Sequence, residues 1–377
     1  MVWRTDRPLE ILFFGTYERD YPRNAQVLSA LRGAGVTVRE HHVSVWEDRR
    51  HKWAAGRAAA GRLLFAEAVL LGRRRPPFDA IVVGYPGHAD LAAARLAAGG
   101  RPIVFNPLVS LYDTLVGDRG RFRAGSSAAR ALLRLDRAAM RAADLVVADT
   151  EAQARFLARL AGLSADRVAV CLVGAEERLF GPPWQPAHPF TCLFVGKLIP
   201  LHGIETVLAA ARLVPELPFR VIGSGQLDAA LARRSANVGW TPWVEYERLP
   251  AELRRSGCAL GIFGTGAKAA RVIPNKAFQA LACGTPLVTA DTAGARELLR
   301  DGENALLVPP GDPAALASAL RRLASDPALA GRIAAGGLRV YRERASEAVL
   351  GTRWRDLLLE AIERKRVTGP RVLRFET

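Results

Sequence analysis

Phe194-Val195-Gly196-Lys197-Leu198-Ile199-Pro200-Leu201-His202-Gly203, running on into Ile204-Glu205-Thr206-Val207-Leu208-Ala209-Ala210-Ala211, is the stretch that decides the fold of this 377-residue chain. An apolar run, Thr191–Val195, stops at a glycine. A second glycine precedes an amphipathic run over Ile204–Leu213. The order strand, glycine-bounded turn, helix is the first half of a βαβ unit. Glycine lets the backbone come close to a ligand, and the following helix offers free N–H groups and a positive dipole end to an anion. Lys197 and His202 add side-chain donors at the same mouth. The plainer alternative is an ordinary turn carrying an exposed lysine.

The same alternation extends in both directions. Upstream, strands are expected at Ile11–Phe14, Val36–His41, Ala80–Val83, Pro102–Phe105, Leu145–Ala148 and Val168–Leu172, separated by helical stretches such as Asn24–Arg32 and Ala128–Ala142. Downstream they recur at Phe219–Ile222, Asn237–Val238, Leu260–Phe263, Pro286–Ala290 and Ala305–Val308, with helices including Leu227–Arg234 and Asn275–Leu281. Between the two series, Gly181–Pro189 holds four prolines and fits neither period, so it reads as a linker. The expectation is α/β architecture: two doubly wound, Rossmann-like domains over 1–183 and 189–340, and a C-terminal helical stretch, about Leu338–Arg366, within 341–377. Ligands of such sheets bind at the carboxyl ends of the strands, which predicts an interdomain cleft.

Lys and Arg number 53 against 37 acids, a formal charge of +16. That excess raises nucleic acid or an anionic surface as partners. Only five of the 53 are lysine, and the charge divides equally between residues 1–180 and 181–377, so no basic tail stands apart and no nucleic-acid partner is expected. Arg119, Arg121, Arg123, Arg130, Arg134, Arg137 and Arg141 form one basic stretch. Arg49, Arg50, Lys52, Arg57 and Arg62 form another, interleaved with Trp46, Trp53 and Phe65 and followed by Arg73–Arg75. Basic groups beside apolar ones suit an anionic membrane surface, against the plainer reading of a solvated helix face. No apolar stretch opens the chain and none approaches the roughly 18 residues of a membrane span. The four cysteines are scattered, with no metal-ligand spacing. A cytoplasmic protein is expected, with a peripheral position at the inner face of the cell membrane as the further option.

Further site candidates follow strands. Gly15 and Tyr17 begin a loop that reaches Arg23 and Asn24 at a helix start. Gly223 and Gly225 bracket Ser224, and Gly264-Thr265-Gly266 leads to Lys268, Arg271, Asn275 and Lys276. Three cations beside a helix N-terminus suit a diphosphate, whose charge grows as it leaves. His88, Asp113 and Asp118 follow first-domain strands, where an imidazole or carboxylate can orient a hydroxyl or take its proton; helix capping is the alternative for either Asp.

Taken together, the Gly15 loop, Asp144–Leu157, Val173–Phe180, the Gly196 loop, VIGSGQL, Asn275–Val288 and Asp301–Leu316 resemble the GT-B glycosyltransferases of the retaining family 4 type, in order and over nearly the full length. The resemblance implies two facing Rossmann-like domains and a final helix that crosses back to the first. It implies sugar transfer from a nucleotide diphosphate sugar to the hydroxyl of a glycan, lipid-linked or small-molecule acceptor, without a metal or other cofactor. The donor grip would fall on Gly15, Gly196, Lys197, His202, Gly203, Gly223, Gly225, Thr265, Arg271, Asn275, Lys276 and Gln279, and the acceptor site on Tyr17, Arg23 and Asn24. His202 stands where a lysine is usual. The family's Glu-x7-Glu falls on Arg271 and Gln279; the glutamine can still accept a hydrogen bond, whereas the arginine reverses the sign. The family's first-domain histidine has no match at Asn106–Val109, which leaves His88, Asp113 and Asp118 as catalytic substitutes. The competing expectations are an epimerase or hydrolase acting on nucleotide sugars, and a catalytically degenerate nucleotide-sugar-binding protein.

Overall fold

The computed structural model describes residues 7–46, 57–186 and 188–368. The first sheet contains β1 (Glu10–Gly15), β2 (Thr37–His42), β3 (Ala80–Val83), β4 (Ile103–Phe105), β5 (Leu145–Ala148) and β6 (Val168–Val170). Their order is β2-β1-β3-β4-β5-β6, parallel throughout. The central strands are continuous apolar runs, as a sheet covered on both faces requires. The crossovers set α1 (Pro22–Gly33) on one face and α2 (Arg57–Gly72), α3 (Leu91–Ala98), α4 (Ser127–Ala142) and α5 (Glu151–Ala161) side by side on the other. Leu70, Leu91, Met140 and Leu157 form the core under that second layer.

The second sheet holds β7 (Cys192–Val195), β8 (Phe219–Ile222), β9 (Val238–Thr241), β10 (Cys258–Leu260), β11 (Leu287–Ala290) and β12 (Leu306–Val308), ordered β12-β11-β10-β7-β8-β9 and again parallel. It packs against α6 (Ile204–Leu213), α7 (Leu249–Arg255), α8 (Asn275–Cys283), α9 (Pro313–Ser325) and α10 (Pro327–Arg344). The last helix, α11 (Glu347–Thr368), leaves this domain and packs on α1. Its Leu350, Trp354, Leu357 and Leu358 share one core with Ile11, Val27 and Leu31.

Four local expectations change. The single C-terminal helix is two, divided at Ala345-Ser346, where the chain turns back toward the first sheet and the Ser346 hydroxyl approaches the Val349 amide as a cap. The helix expected at Leu227–Arg234 is a 3-10 turn, Asp228–Arg233. β10 ends at Leu260, so the loop that follows begins at Gly261. The proline-rich linker is pinned to the second domain: Trp184 Nε1 donates to the Ser256 carbonyl at 2.7 Å and the Gln185 amide to that of Arg254 at 2.8 Å. Of the basic stretch with interleaved tryptophans, Arg49, Arg50, Lys52 and Trp53 lie outside the described residues.

Strand order also locates the site. In the second sheet the winding reverses between β7 and β10, and in the first between β1 and β3. Loops leaving two such strands diverge and open a crevice at their carboxyl ends. The loops concerned are Gly196–Gly203 with Gly261–Lys268, and Gly15–Tyr21 with Gly84–Asp90. Among the described residues, no helix is long and apolar enough to cross a membrane.

Candidate functional site

In the second-domain crevice the glycine loops stack on one another. Gly223 has φ +135°, and a Cβ there would lie 2.0 Å from the Gly196 carbonyl oxygen, so only glycine lets the β7 and β8 loops meet. A Cβ on Gly225 would strike the Leu198 carbonyl, and one on Gly203 the Phe263–Gly264 backbone. These three glycines thus hold loop against loop. His202 places Nδ1 2.6 Å from the Lys197 carbonyl oxygen, which can only accept, so Nδ1 carries the proton and Nε2 is left as an acceptor. Burial first, and then the Lys276 charge, push this imidazole well below its ordinary range, so it stays neutral.

Lys276 is the decisive side chain. It sits in the first turn of α8, 9% exposed, with Nζ 3.6 Å from the centroid of the Phe194 ring. Nζ has no hydrogen-bond partner among the described residues. Desolvation pushes its pKa well below the lysine range. A Cβ added to Gly196 would lie 3.3 Å from that Nζ and 3.0 Å from His202 Cε1, which places lysine, imidazole and glycine backbone in one small volume. Pro274 opens α8 without a side-chain cap, leaving the first-turn amides free of side-chain acceptors. An unpaired buried ammonium is costly, and an anion at this point relieves the cost. Lys197, exposed on the same loop, is lowered by partial burial and by Arg119 of the first domain. Thr265 is exposed at the loop tip, Asn275 is half-buried, and Gln279 donates to the Tyr246 hydroxyl at 3.1 Å.

Arg271, expected at the diphosphate, is engaged with the first domain. Its NH2 donates to Asp113 Oδ2 at 2.7 Å and its Nε to Gln153 Oε1 at 3.2 Å, while the guanidinium stacks 3.9 Å over Phe156. All three partners belong to the first domain. Lys268 likewise crosses over, donating to Thr114 Oγ1 at 2.7 Å. Glu297 accepts from the Glu151 and Ala152 amides at 2.6 and 2.8 Å, capping α5 from across the boundary. Asp113 and Asp118 begin and end a turn with π-type hydrogen bonding (Arg119 N to Thr114 O, 2.9 Å). Asp118 lies against the Leu201 amide and Lys268, with its pKa raised by burial. Asp113 and Asp118 therefore stand at the cleft, Asp113 as the counter-ion of Arg271.

The other first-domain candidates are buried and engaged within their own domain. His88 is buried, not cleft-facing: its ring lies between the Pro86 carbonyl and Asp136 Oδ1 (Nε2 to Oδ1, 3.3 Å), against the edge of Phe105. Asp136 itself accepts from Ser110 Oγ and from the Leu111 and Tyr112 amides. Tyr17 is buried and donates to Glu40 at 2.7 Å. Arg23, fully buried, donates to Asn106 and to the Cys171 and Leu172 carbonyls. Asn24 ties Glu18 and Tyr85 together. None of these three presents a free polar group to an acceptor. Gly15, with φ +122°, is needed because Asp90 Oδ2 would lie 2.1 Å from a Cβ; Asp90 accepts from the Thr16 amide and hydroxyl there. Asp149, directly after β5, belongs to no site motif in the sequence. Its Oδ1 is buried without a hydrogen-bond partner, and burial pushes its pKa up to about 6. Its signal was an acid immediately following an apolar strand. Among the described residues, no three or more His, Cys, Asp or Glu side chains cluster as a metal site.

Two family models match this chain. The one described as a glycosyl transferase 4-like domain covers residues 8–174, and the one described as glycosyl transferases group 1 covers residues 189–326. Together they take in well over half of the sequence. The chain belongs to the group 1, family 4-like glycosyl transferases. Among curated relatives of this family, a D-inositol 3-phosphate glycosyltransferase of Thermomonospora curvata is 31% identical over 58% of this chain and 56% of its own length. One of Nocardioides is 27% identical over 82% and 73%. The chain spans little more than half the length of the first relatives it matches. Among solved glycosyl transferase folds, sucrose-phosphate synthase of Thermosynechococcus elongatus superposes with TM-score 0.73 at 18% identity, covering 95% of this chain and all of the other. HepE of Anabaena, solved with UDP and glucose, gives 0.66 at 17%, covering 93% and 100%. The fold is GT-B: two parallel six-stranded α/β domains.

Proposed function

We propose that the protein transfers a sugar from a nucleoside diphosphate sugar to an acceptor hydroxyl, with retention at the anomeric carbon and without a metal. The observation that carries this reading is Lys276: an unpartnered, buried ammonium at the winding reversal of the second sheet, beside the Gly196 backbone and an uncapped helix N-terminus. A diphosphate placed there meets Lys276, the first-turn amides of α8 and, from the loop edge, Lys197. These groups hold the charge that collects on the diphosphate as the bond from C1 to its oxygen breaks and the acceptor oxygen bonds to C1, the acceptor's hydroxyl proton passing to the departing diphosphate oxygen. Neutral His202 offers Nε2 to a donor hydroxyl. Gln279, Asn275 and Thr265 flank the same mouth and are assigned to the donor's nucleoside and sugar. Asp118 and Asp149, each within electrostatic reach of Lys268, bring first-domain carboxyl groups toward this region, and the first-domain side of the cleft receives a glycan, lipid-linked or small-molecule acceptor in the cytoplasm.

One observation favours a second reading. The commitment of Arg271 to Asp113 and of Lys268 to Thr114 holds the two domains together, as in a protein that binds a nucleotide sugar without turning it over. Incubation with UDP-, GDP-, ADP- and dTDP-sugars, with and without acceptor alcohols, decides. Acceptor-dependent glycoside formation is expected. Turnover without acceptor would establish an epimerase or hydrolase, and binding without turnover the degenerate form.

A further inference from the structure

We infer that the outer surface of the α2–α5 layer docks on an anionic lipid bilayer. Among the described residues, that surface carries eight exposed arginines, and Glu151 is the one exposed acid on the four helices, since Glu67 is half-buried and Asp136 fully buried. None of the eight pairs with a carboxylate there. Three instead donate to helix C-terminal carbonyls of neighbouring helices: Arg95 to Ala142, Arg137 to Leu160 and Arg141 to Ala161. Those bonds fix the guanidinium groups at one end of the layer, where the partial negative charge of the helix ends offsets only part of theirs.

Charge alone would suit any polyanion. The apolar side chains set this face apart. Leu64 and Phe65 of α2 and Leu96 of α3 are 73%, 71% and 74% exposed, and with Leu135 of α4 they make up four of the eight large apolar side chains that stand exposed among the described residues. α2 packs beside α3 and α3 beside α4, so these groups share one layer with the arginines. A nucleic-acid backbone gains nothing from aliphatic side chains, whereas a bilayer takes them below its headgroups while its phosphates meet the guanidinium groups. The layer also adjoins the cleft, because α5 begins at the Glu297 contact between the domains. A protein held by this face presents the cleft mouth beside the membrane. The inference is independent of the chemistry assigned to the cleft.

Sedimentation with vesicles of phosphatidylcholine containing 30–40% phosphatidylglycerol (about that fraction gives a strongly negative surface) tests it. The full chain is expected to co-sediment at low salt, to be released as ionic strength rises, and to ignore pure phosphatidylcholine. Replacing Arg62, Arg130 and Arg134 together by Gln should weaken binding roughly 100-fold. Leu64→Ser with Phe65→Ser should weaken it roughly 10-fold. Both variants should keep the circular dichroism spectrum and urea midpoint of the parent, which shows that they are folded. Full vesicle binding by both variants would overturn the proposal. So would binding to a duplex or single-stranded oligonucleotide that is tighter than to vesicles and unchanged by Leu64→Ser with Phe65→Ser.

Discussion

Arg271 of the second domain holds Asp113 of the first at 2.7 Å, with both side chains largely buried. The pair lies 158 residues apart in sequence and joins the two halves of the cleft. Guanidinium and carboxylate withdrawn from water in this way gain most from each other and lose most when one is removed alone. Asp113→Ala should therefore lower stability by about 3 kcal/mol, and Arg271→Ala with Asp113→Ala by less than the two single losses combined. Urea unfolding of the four proteins checks it; strictly additive losses would show that the pair is not coupled.

Lys276→Met separates binding from stability. An ammonium without a hydrogen-bond partner costs the fold, so the methionine protein should melt no lower than the parent. Loss of a charge-assisted contact to a diphosphate should weaken nucleotide binding by about 1.5–3 kcal/mol, roughly 10- to 100-fold. Calorimetry beside thermal denaturation reads the two effects. Equal affinities in parent and variant would remove Lys276 from the donor site.

The same lysine predicts a proton linkage. Burial holds its pKa well below the lysine range, so some of the unliganded protein lacks this charge as pH rises. A bound diphosphate favours the ammonium and restores its proton. Nucleotide binding should take up protons, and affinity should fall as pH rises through the depressed pKa. Titration calorimetry in buffers of differing ionisation enthalpy measures the uptake, which Lys276→Met should abolish.

Glu67 of α2, beside Asp90, is pushed up to about 9 from an ordinary 4.5, by burial first and then by the neighbouring carboxylate. The native chain keeps its proton where the unfolded chain has lost it. Stability from this group is present below pH 4.5 and is lost as pH climbs toward 9. Glu67→Gln should flatten the fall in urea midpoint between pH 5.5 and pH 8.5 (values chosen inside that window, about one unit or less from its ends). Parallel curves for the two proteins would refute the assignment.

His88→Gln tests whether this ring is chemical or structural. Since it is enclosed by Phe105, Pro86 and Asp136, the substitution should cost about 1–3 kcal/mol of stability and leave transfer at permissive temperature within a few-fold of the parent. A loss of turnover larger than a thousand-fold with intact nucleotide binding would return His88 to the reaction.

The difference between what the sequence disclosed and what it concealed has a physical cause. The central parallel strands are written as continuous apolar runs, the edge strands β2 and β9 less so, yet all twelve lie close to their expected places, and glycine placement marked the loops that meet above β7, β8 and β10. Side-chain engagement is another matter. Following a strand put His88 in the right loop, but its orientation depends on Asp136 from α4, which in turn is held by Ser110 and two amides. Arg271 read as a phosphate ligand because nothing local indicates Asp113, Gln153 or Phe156 as its partners. Asp149 was missed for the converse reason: its character comes from burial, not from any motif.

Trp354, fully buried, is part of α11 yet completes the core beneath β1 and α1. The first domain is thus assembled from the two ends of the described chain, with the whole second domain inserted between them. During synthesis, the strands β1–β6 emerge first but lack the helix that seals one face, and at about 5–20 residues per second they wait on the order of ten seconds or more for it. The second domain, continuous in sequence, has its full set of elements before α11 is made. The half of the protein translated first is therefore the half that becomes native last, and until then its Val27–Leu31 face is a surface for chaperones to cover.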